Sequence, residues 1–311
     1  MAKQVRHFLS IKDINEKEFW TILKLAKKLK KKPIQTKLLA GKTLAMIFEK
    51  SSTRTRVSFE VGMTQLGGHA EFLSPNDIQM GRGELISDTA KVLSRYVDII
   101  MYRAYKHENI AELAANSSVP VINALSDLEH PCQILADLMT VWESFAPLRP
   151  ATRGFGRGLR GLKMAYVGDC ENNVTHSLAL GCALVGMEFV AAGPKGYHMD
   201  SAIAGKKAKQ VVDPEDAVSG ADVVVTDTWV SMGDEASKRK RLKDLKAYQV
   251  NERLMGMAKK KAIFMHCLPA YRGNEMTAAV LDGPQSVAWD EAENRLHTQK
   301  ALILWLLGVK A

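Results

Sequence analysis

Cysteine, aromatic residues and long apolar runs are all scarce in this chain, and each scarcity excludes something. The four cysteines, Cys132, Cys170, Cys182 and Cys267, are widely spaced and form neither a CxxC pair nor a zinc-ligand spacing. That is too few for a disulfide framework in 311 residues, and it suits a reducing compartment. No run of about 18 apolar residues could span a bilayer, and the charged N-terminus lacks the apolar stretch of a secretory signal. The expected location is therefore the cytoplasm, with no membrane partner, and the glycosylation-like triplets at Asn116 and Asn173 are chance matches. Aromatics make up only 7%, and none interleave a basic run as a nucleic-acid surface would require. No repeat of solenoid period is present.

What remains is ordinary globular usage, 46% hydrophobic and 25% charged, over a length that suggests two domains. Lys and Arg total 43 against 34 Asp and Glu, a formal +9. Residues 1–40 hold ten Lys and Arg6 against Asp13, Glu16 and Glu18, so +8 of that excess sits in the first eighth of the chain. From Asn15 to Lys32, Phe19, Ile22, Leu23, Ala26 and Leu29 recur at helical spacing, with lysines mostly between them. This predicts an amphipathic surface helix whose lysines face water, and no nucleic-acid partner is expected.

From Lys42 onward, short β-branched runs alternate with helical patterns, the signature of parallel sheets covered by helices. Predicted strands are 43–49, 98–103, 120–123, 163–167, 188–192, 222–226 and 263–266. Predicted helices are 53–66, 84–95, 108–116, 131–145, 174–185, 251–257 and about 291–309. Residues 146–161, crowded with Pro, Gly and Arg, interrupt the alternation and are the expected interdomain connection. The expected fold class is α/β, two doubly wound parallel-sheet domains, residues 1–147 and 148–311. Two nucleotide signals fail on context. Gly41-Lys42-Thr43 precedes a strand and has Thr36 where a P-loop needs Gly, and Gly154-Phe155-Gly156-Arg157-Gly158 lacks the dinucleotide spacing.

The sharpest signal is Ser51-Ser52-Thr53-Arg54-Thr55-Arg56, directly after an apolar strand and opening a helix. Helix N-terminal amides, hydroxyls and guanidinium groups together describe a site for a phosphate dianion, whereas capping alone needs only one Ser or Thr. Arg103 ends another predicted strand. His130-Pro131-Cys132-Gln133 opens a helix after a third, offering donors for a carbonyl and a small amide. In the second half, Asp227 and Cys267 each follow a strand, and a Cys beside an Asp could serve as nucleophile pair, metal site or packing.

In this order, Ser52-Thr53-Arg54-Thr55-Arg56, His130-Pro131-Cys132-Gln133, Asp227-Thr228-Trp229-Val230-Ser231-Met232-Gly233 and His266-Cys267-Leu268-Pro269 closely resemble the aspartate/ornithine carbamoyltransferase family. The resemblance runs from about Val5 to the final helix. The first two motifs specify carbamoyl phosphate only. Ser-Met-Gly with His-Cys-Leu-Pro resembles the branch that uses ornithine, since aspartate enzymes would carry His-Pro-Leu-Pro-Arg there and the acetylornithine and putrescine enzymes lack Ser-Met-Gly. The resemblance implies that Ser52, Thr53, Arg54, Thr55 and Arg103 hold the phosphate. It also implies that His130, Gln133, Cys267, the Leu268 carbonyl and Arg295 surround the carbamoyl group. Gln79 matches a loop that reaches a neighbouring subunit's site, which implies a trimer or an assembly of trimers. Asn173, Asp227, Ser231 and Met232 match the ornithine site, with Cys267 beside the side-chain amine. The C-terminal helix is expected to return to the first domain, and the connection at 146–161 suggests that the two domains close over the substrates, with the Ser231-Met232-Gly233 loop folding in to exclude water. No metal or organic cofactor is expected. One departure is Tyr271, where the family commonly has His.

Overall fold

Strands buried on both faces must be largely apolar, and the central strands of this protein are. In the computed structural model, which describes residues 5–31, 36–74, 76, 78–80, 83–146, 158–230 and 235–310, the run Ile-Ile-Met-Tyr-Arg is wholly buried and Val-Val-Val-Thr equally so. The strands are β1 (Thr43–Phe48), β2 (His69–Leu73), β3 (Ile99–Arg103), β4 (Val121–Leu125), β5 (Lys163–Val167), β6 (Glu188–Ala192), β7 (Lys209–Val211), β8 (Val223–Thr226) and β9 (Ile263–His266). The longer helices before β6 are α1 (Glu16–Lys31), α2 (Thr53–Gln65), α3 (Ile86–Tyr96), α4 (His107–Asn116), α5 (Pro131–Phe145) and α6 (Asn173–Val185). After it come α7 (Ser201–Ala204), α8 (Pro214–Val218), α9 (Lys238–Leu245), α10 (Glu252–Met255), α11 (Ala278–Leu281) and α12 (Ala288–Leu306).

Two compact units result, one of residues 1–136 with 294–311, the other 137–293. The first holds a four-stranded parallel sheet in the order β2-β1-β3-β4, the second a five-stranded parallel sheet in the order β7-β6-β5-β8-β9. Each order reverses once, between β1 and β3 and between β5 and β8. Ligands of open parallel sheets bind beyond the strand C-termini at such reversals. The C-terminal part of α12, from Asn294, belongs to the first unit, as expected for a helix that returns to it. Among the described residues no helix is long and apolar enough to cross a membrane.

Helix α1 buries Phe19, Ile22, Leu23, Ala26 and Leu29, the five expected positions, together with Trp20. Lys24 and Lys28 stay exposed, while Lys30 donates to Asn294 Oδ1 (2.9 Å). The structure differs from the sequence reading at two strands, β2 and β7. Both are edge strands with exposed polar positions, so neither carries an apolar run. Phe8 adds a further bridge beside β4, donating to Val121 and accepting from Asn123. The C-terminal helix begins at Ala288 instead of about 291. Most of the expected 146–161 connection, and with it the boundary at 147/148, lies outside the described residues.

Candidate active site

In the first unit, β1 and β3 run side by side to Phe48 and Arg103, and the Glu49 amide donates to the Arg103 carbonyl (2.9 Å). The chain then turns into α2. Ser52 is its N-cap, accepting from the Thr55 amide (3.2 Å), and no acidic residue occupies the first turn. A helix start leaves its first amides without intrahelical acceptors at the positive end of the dipole, and the first turn here carries hydroxyls and Arg54 and no carboxylate. Ser52 and Arg54 are half-buried, Thr53 is exposed and Thr55 is buried.

Helix α5 begins at Pro131, whose missing N–H costs nothing in a first turn. This presents His130 and Gln133, both buried, and the Gln133 amide donates to the His130 carbonyl (3.0 Å). Arg295 of α12, 3% exposed, donates from Nη1 to Gln133 Oε1 (2.5 Å) and from Nη2 to Thr55 Oγ1 (3.2 Å). One guanidinium thus joins α2, α5 and α12. Burial holds the His130 imidazole well below its ordinary pKa, and the charges of Arg295, Arg103 and Arg54 push it the same way. His130 is therefore neutral at working pH. Cys132, next but one in the chain, is fully buried, with its thiol pushed up to about 12 by burial, so it serves packing and not chemistry.

In the second unit, Asn173 opens α6 after β5, Asp227 follows β8, and Cys267 and Leu268 follow β9. The Cys267 thiol donates to Asp227 Oδ1 (3.1 Å), and Asp227 Oδ1 also accepts from the Thr228 amide (2.7 Å). Burial, then the negative charge of Asp227 and Glu291, pushes the Cys267 thiol well above its usual range. It is a protonated donor, which argues against the nucleophile reading. The Leu268 amide donates to His266 Nδ1 (2.9 Å), so His266 Nε2 carries the proton facing Glu275 Oε1 (3.3 Å). This dyad helps hold Leu268 at φ 60°, a conformation unusual for a side chain of its size. Ligand atoms of Asp227, His266 and Cys267 lie within 4.8 Å of one another. As arranged they form a hydrogen-bonded set, with both imidazole nitrogens engaged and the thiol protonated, and not an open donor set for a cation.

The structure thus brings Thr55, Arg103, His130, Gln133 and Arg295 together in one unit, with Arg54 close enough to bear on His130. In the other unit it brings Asp227, Cys267 and Leu268 together. Gln79 is exposed in the loop after β2. Ser231 and Met232 lie outside the described residues. Sequence reasoning missed Asp137 and Glu291. Glu291 accepts from the His266 amide (2.9 Å) and hydrogen-bonds Asp137, and its carboxyl is raised well above the usual range by burial and by that neighbour. Helical spacing could have found both, because Asp137 is four residues after Gln133 and Glu291 four before Arg295.

Two family descriptions cover nearly all of the chain. "Aspartate/ornithine carbamoyltransferase, carbamoyl-P binding domain" matches residues 6–143, and "Aspartate/ornithine carbamoyltransferase, Asp/Orn binding domain" matches residues 160–306. The ornithine carbamoyltransferase of Carboxydothermus hydrogenoformans is 53% identical over 97% of this chain and 98% of its own length. The solved ornithine carbamoyltransferase of Pyrococcus furiosus is 48% identical, with TM-score 0.89 over 98% of each chain. A solved N-acetyl-L-ornithine transcarbamylase mutant superposes with TM-score 0.83 at 32% identity, covering 97% of this chain and all of its own. The fold by itself therefore does not choose the amine.

Proposed function

This chain belongs to the aspartate/ornithine carbamoyltransferase family, and on that premise we propose that it transfers the carbamoyl group of carbamoyl phosphate to the side-chain amine of L-ornithine. The products are L-citrulline and phosphate, in arginine metabolism. Relatives about half identical over their full length support ornithine as the amine. The observation that carries the carbamoyl phosphate site is Arg295 bridging Thr55 and Gln133 beside a neutral His130.

Residue roles follow from the donors. Ser52, Thr53, Arg54, Thr55 and Arg103 take the phosphate, with the α2 amides and dipole adding to the cationic pocket. His130 donates to the carbamoyl oxygen and Arg295 assists there, so negative charge developing on that oxygen meets preorganised donors. Gln133 and the Leu268 carbonyl, with Cys267 adjacent, bind the carbamoyl nitrogen. Asn173, Asp227, Ser231 and Met232 take ornithine. Its side-chain amine is protonated near neutrality, with an intrinsic pKa like that of Lys, so the site must favour the neutral form, which the arginine charges do. Asp227 and Cys267 orient that amine without a covalent step. Arg103, His130, Asp227 and Cys267 are the groups closest to the chemistry.

We assign residues 1–147 to carbamoyl phosphate and 148–311 to ornithine, with the C-terminal helix, about 291–309, returning to the first domain and carrying Arg295 to the carbamoyl phosphate site. The assembly is a homotrimer or several trimers, with Gln79 serving a neighbouring subunit, and the compartment is the cytoplasm. Citrulline formation from carbamoyl phosphate, assayed against ornithine, N-acetylornithine, putrescine and aspartate, tests the activity. Turnover of ornithine alone supports it, and preference for another amine refutes it. The mass of the native particle tests the trimer.

A further inference from the structure

Three loops leaving the C-terminal edge of the second sheet converge on a single side chain that the reaction does not use. Arg241, on α9, donates from Nε to the carbonyl of Trp229 (2.7 Å), two residues beyond Asp227. Its Nη2 pairs with the Asp169 carboxylate in the loop after β5, and the guanidinium lies 5.2 Å from the centre of the Tyr197 ring, in the loop after β6. The Asp169 side chain is 1% exposed and that of Arg241 15%, so solvent screens the pair weakly.

The ion pair continues into the start of α6. Asp169 Oδ1 accepts from the Glu171 amide (3.1 Å), and the Asp169 carbonyl accepts from Asn172 Nδ2 (2.6 Å). Asn172 in turn caps α6 by accepting from the Thr175 amide (2.8 Å), and Asn173 is the first residue of that helix. On the other side, the buried Trp229 indole packs against Gly168. A Cβ there would come within 3.0 Å of Trp229 Nε1, and the Gly168 φ of +131° disfavours any side chain as well. Tyr197, Trp229 and Leu245 form a small buried cluster with Leu242 against it. Lysine could satisfy the carboxylate or the carbonyl. Only a planar fork satisfies both while stacking on a ring.

We infer that Arg241 is a positioning residue for the amine substrate: by holding Asp169 and the Trp229 carbonyl with one rigid group, it fixes Asn173 and Asp227 relative to each other without touching substrate. This rests on the ornithine assignment above. Arg241→Gln should raise the KM for ornithine about tenfold or more while the KM for carbamoyl phosphate stays within about twofold, and L-norvaline, which lacks the side-chain amine, should inhibit correspondingly more weakly. Arg241→Lys should fall between, and Asp169→Asn should reproduce the effect. A merely structural role would lower the active fraction, and so kcat, with both KM values intact. Unchanged KM for ornithine in folded Arg241→Lys and Arg241→Gln, or an equal rise for both substrates, overturns the inference. If Arg241→Gln does not fold, Arg241→Lys decides. Wild-type turnover tests the ornithine reading separately. Were another amine the substrate, the same split in that amine's KM would still decide the role of Arg241.

Discussion

Replacing Arg295 by Met keeps most of the stem's volume and removes only the fork, so its cost includes at least the two hydrogen bonds that the fork makes to Gln133 and Thr55. Gln133 Oε1 loses a donor at 2.5 Å and Thr55 Oγ1 one at 3.2 Å, both charge-assisted and both in a buried setting. A hydrogen bond to a charged group contributes about 1.5–3 kcal/mol, and removing one donor aimed at a developing oxyanion costs about 2.7–4 kcal/mol of transition-state stabilisation. The second figure governs turnover if Arg295 assists at the carbamoyl oxygen as proposed above. Arg295→Met should therefore lower kcat/KM about 10²- to 10³-fold. The same substitution removes the largest of the charges that depress His130, so the His130 ring resonances should titrate at higher pH than in the wild type. Arg295→Lys, which keeps charge but not the fork, should be intermediate. Steady-state kinetics on protein shown folded by circular dichroism, with an NMR titration of the histidines, provide the test. A folded Arg295→Met with catalytic efficiency within about threefold of wild type would refute the reasoning.

Arg54→Ala should cost about 3 kcal/mol of transition-state stabilisation and weaken competitive inhibition by inorganic phosphate, and near-normal kcat/KM would remove Arg54 from the phosphate site. Cys267→Ser keeps a donor to Asp227 and should retain turnover within about tenfold, whereas a carbamoyl thioester trapped on Cys267 by mass spectrometry would establish the covalent route instead. His130 gives a pH dependence of stability with a definite sign. Its folded pKa lies below 6.5, so between the two values the unfolded chain binds more protons and stability rises with pH through that window, being lost as pH falls below about 6.5. His7 and His107, also lowered chiefly by burial, act in the same direction, so His130→Asn should flatten only part of the slope in urea midpoints measured between about pH 5.5 and 7.5.

How much of this was legible in the sequence depended on whether burial left a mark in residue type. Strands such as Ile99–Arg103 and Val223–Thr226 are buried on both faces and so had to be apolar runs. The edge strands His69–Leu73 and Lys209–Val211 are partly wet and carry no such mark. The proposed phosphate loop, residues 51–56, was legible because anion chemistry demands several hydroxyls and guanidinium groups at one helix start. The joining of Arg295 to Gln133 and Thr55 was not, since it links residues 162 and 240 positions apart and only the packing of α12 makes it. Likewise His266 was visible as part of a motif, but its work on the Leu268 amide appears only once the turn places Nδ1 at 2.9 Å. Arg241 was hidden inside the basic run Lys238-Arg239-Lys240-Arg241, where spacing cannot separate the residue held by Asp169 from its exposed neighbours.

The net charge illustrates the same distinction between amount and placement. Most of the +9 lies on residues 1–40, where Lys24 and Lys28 of α1 face solvent and salt screens them beyond about 8–10 Å. Other basic groups there are spent on structure: Arg6 pairs with Glu18 and stacks on Trp305, and Lys30 holds Asn294 beside Arg295. Arg103 and Arg295, 6% and 3% exposed, add little to the total, yet their field reaches His130 through protein instead of water. In the proposed roles, a basic chain meets a small dianion with its few buried guanidinium groups and not with its lysine-rich surface, and that buried set adds to the burial that keeps the His130 imidazole neutral.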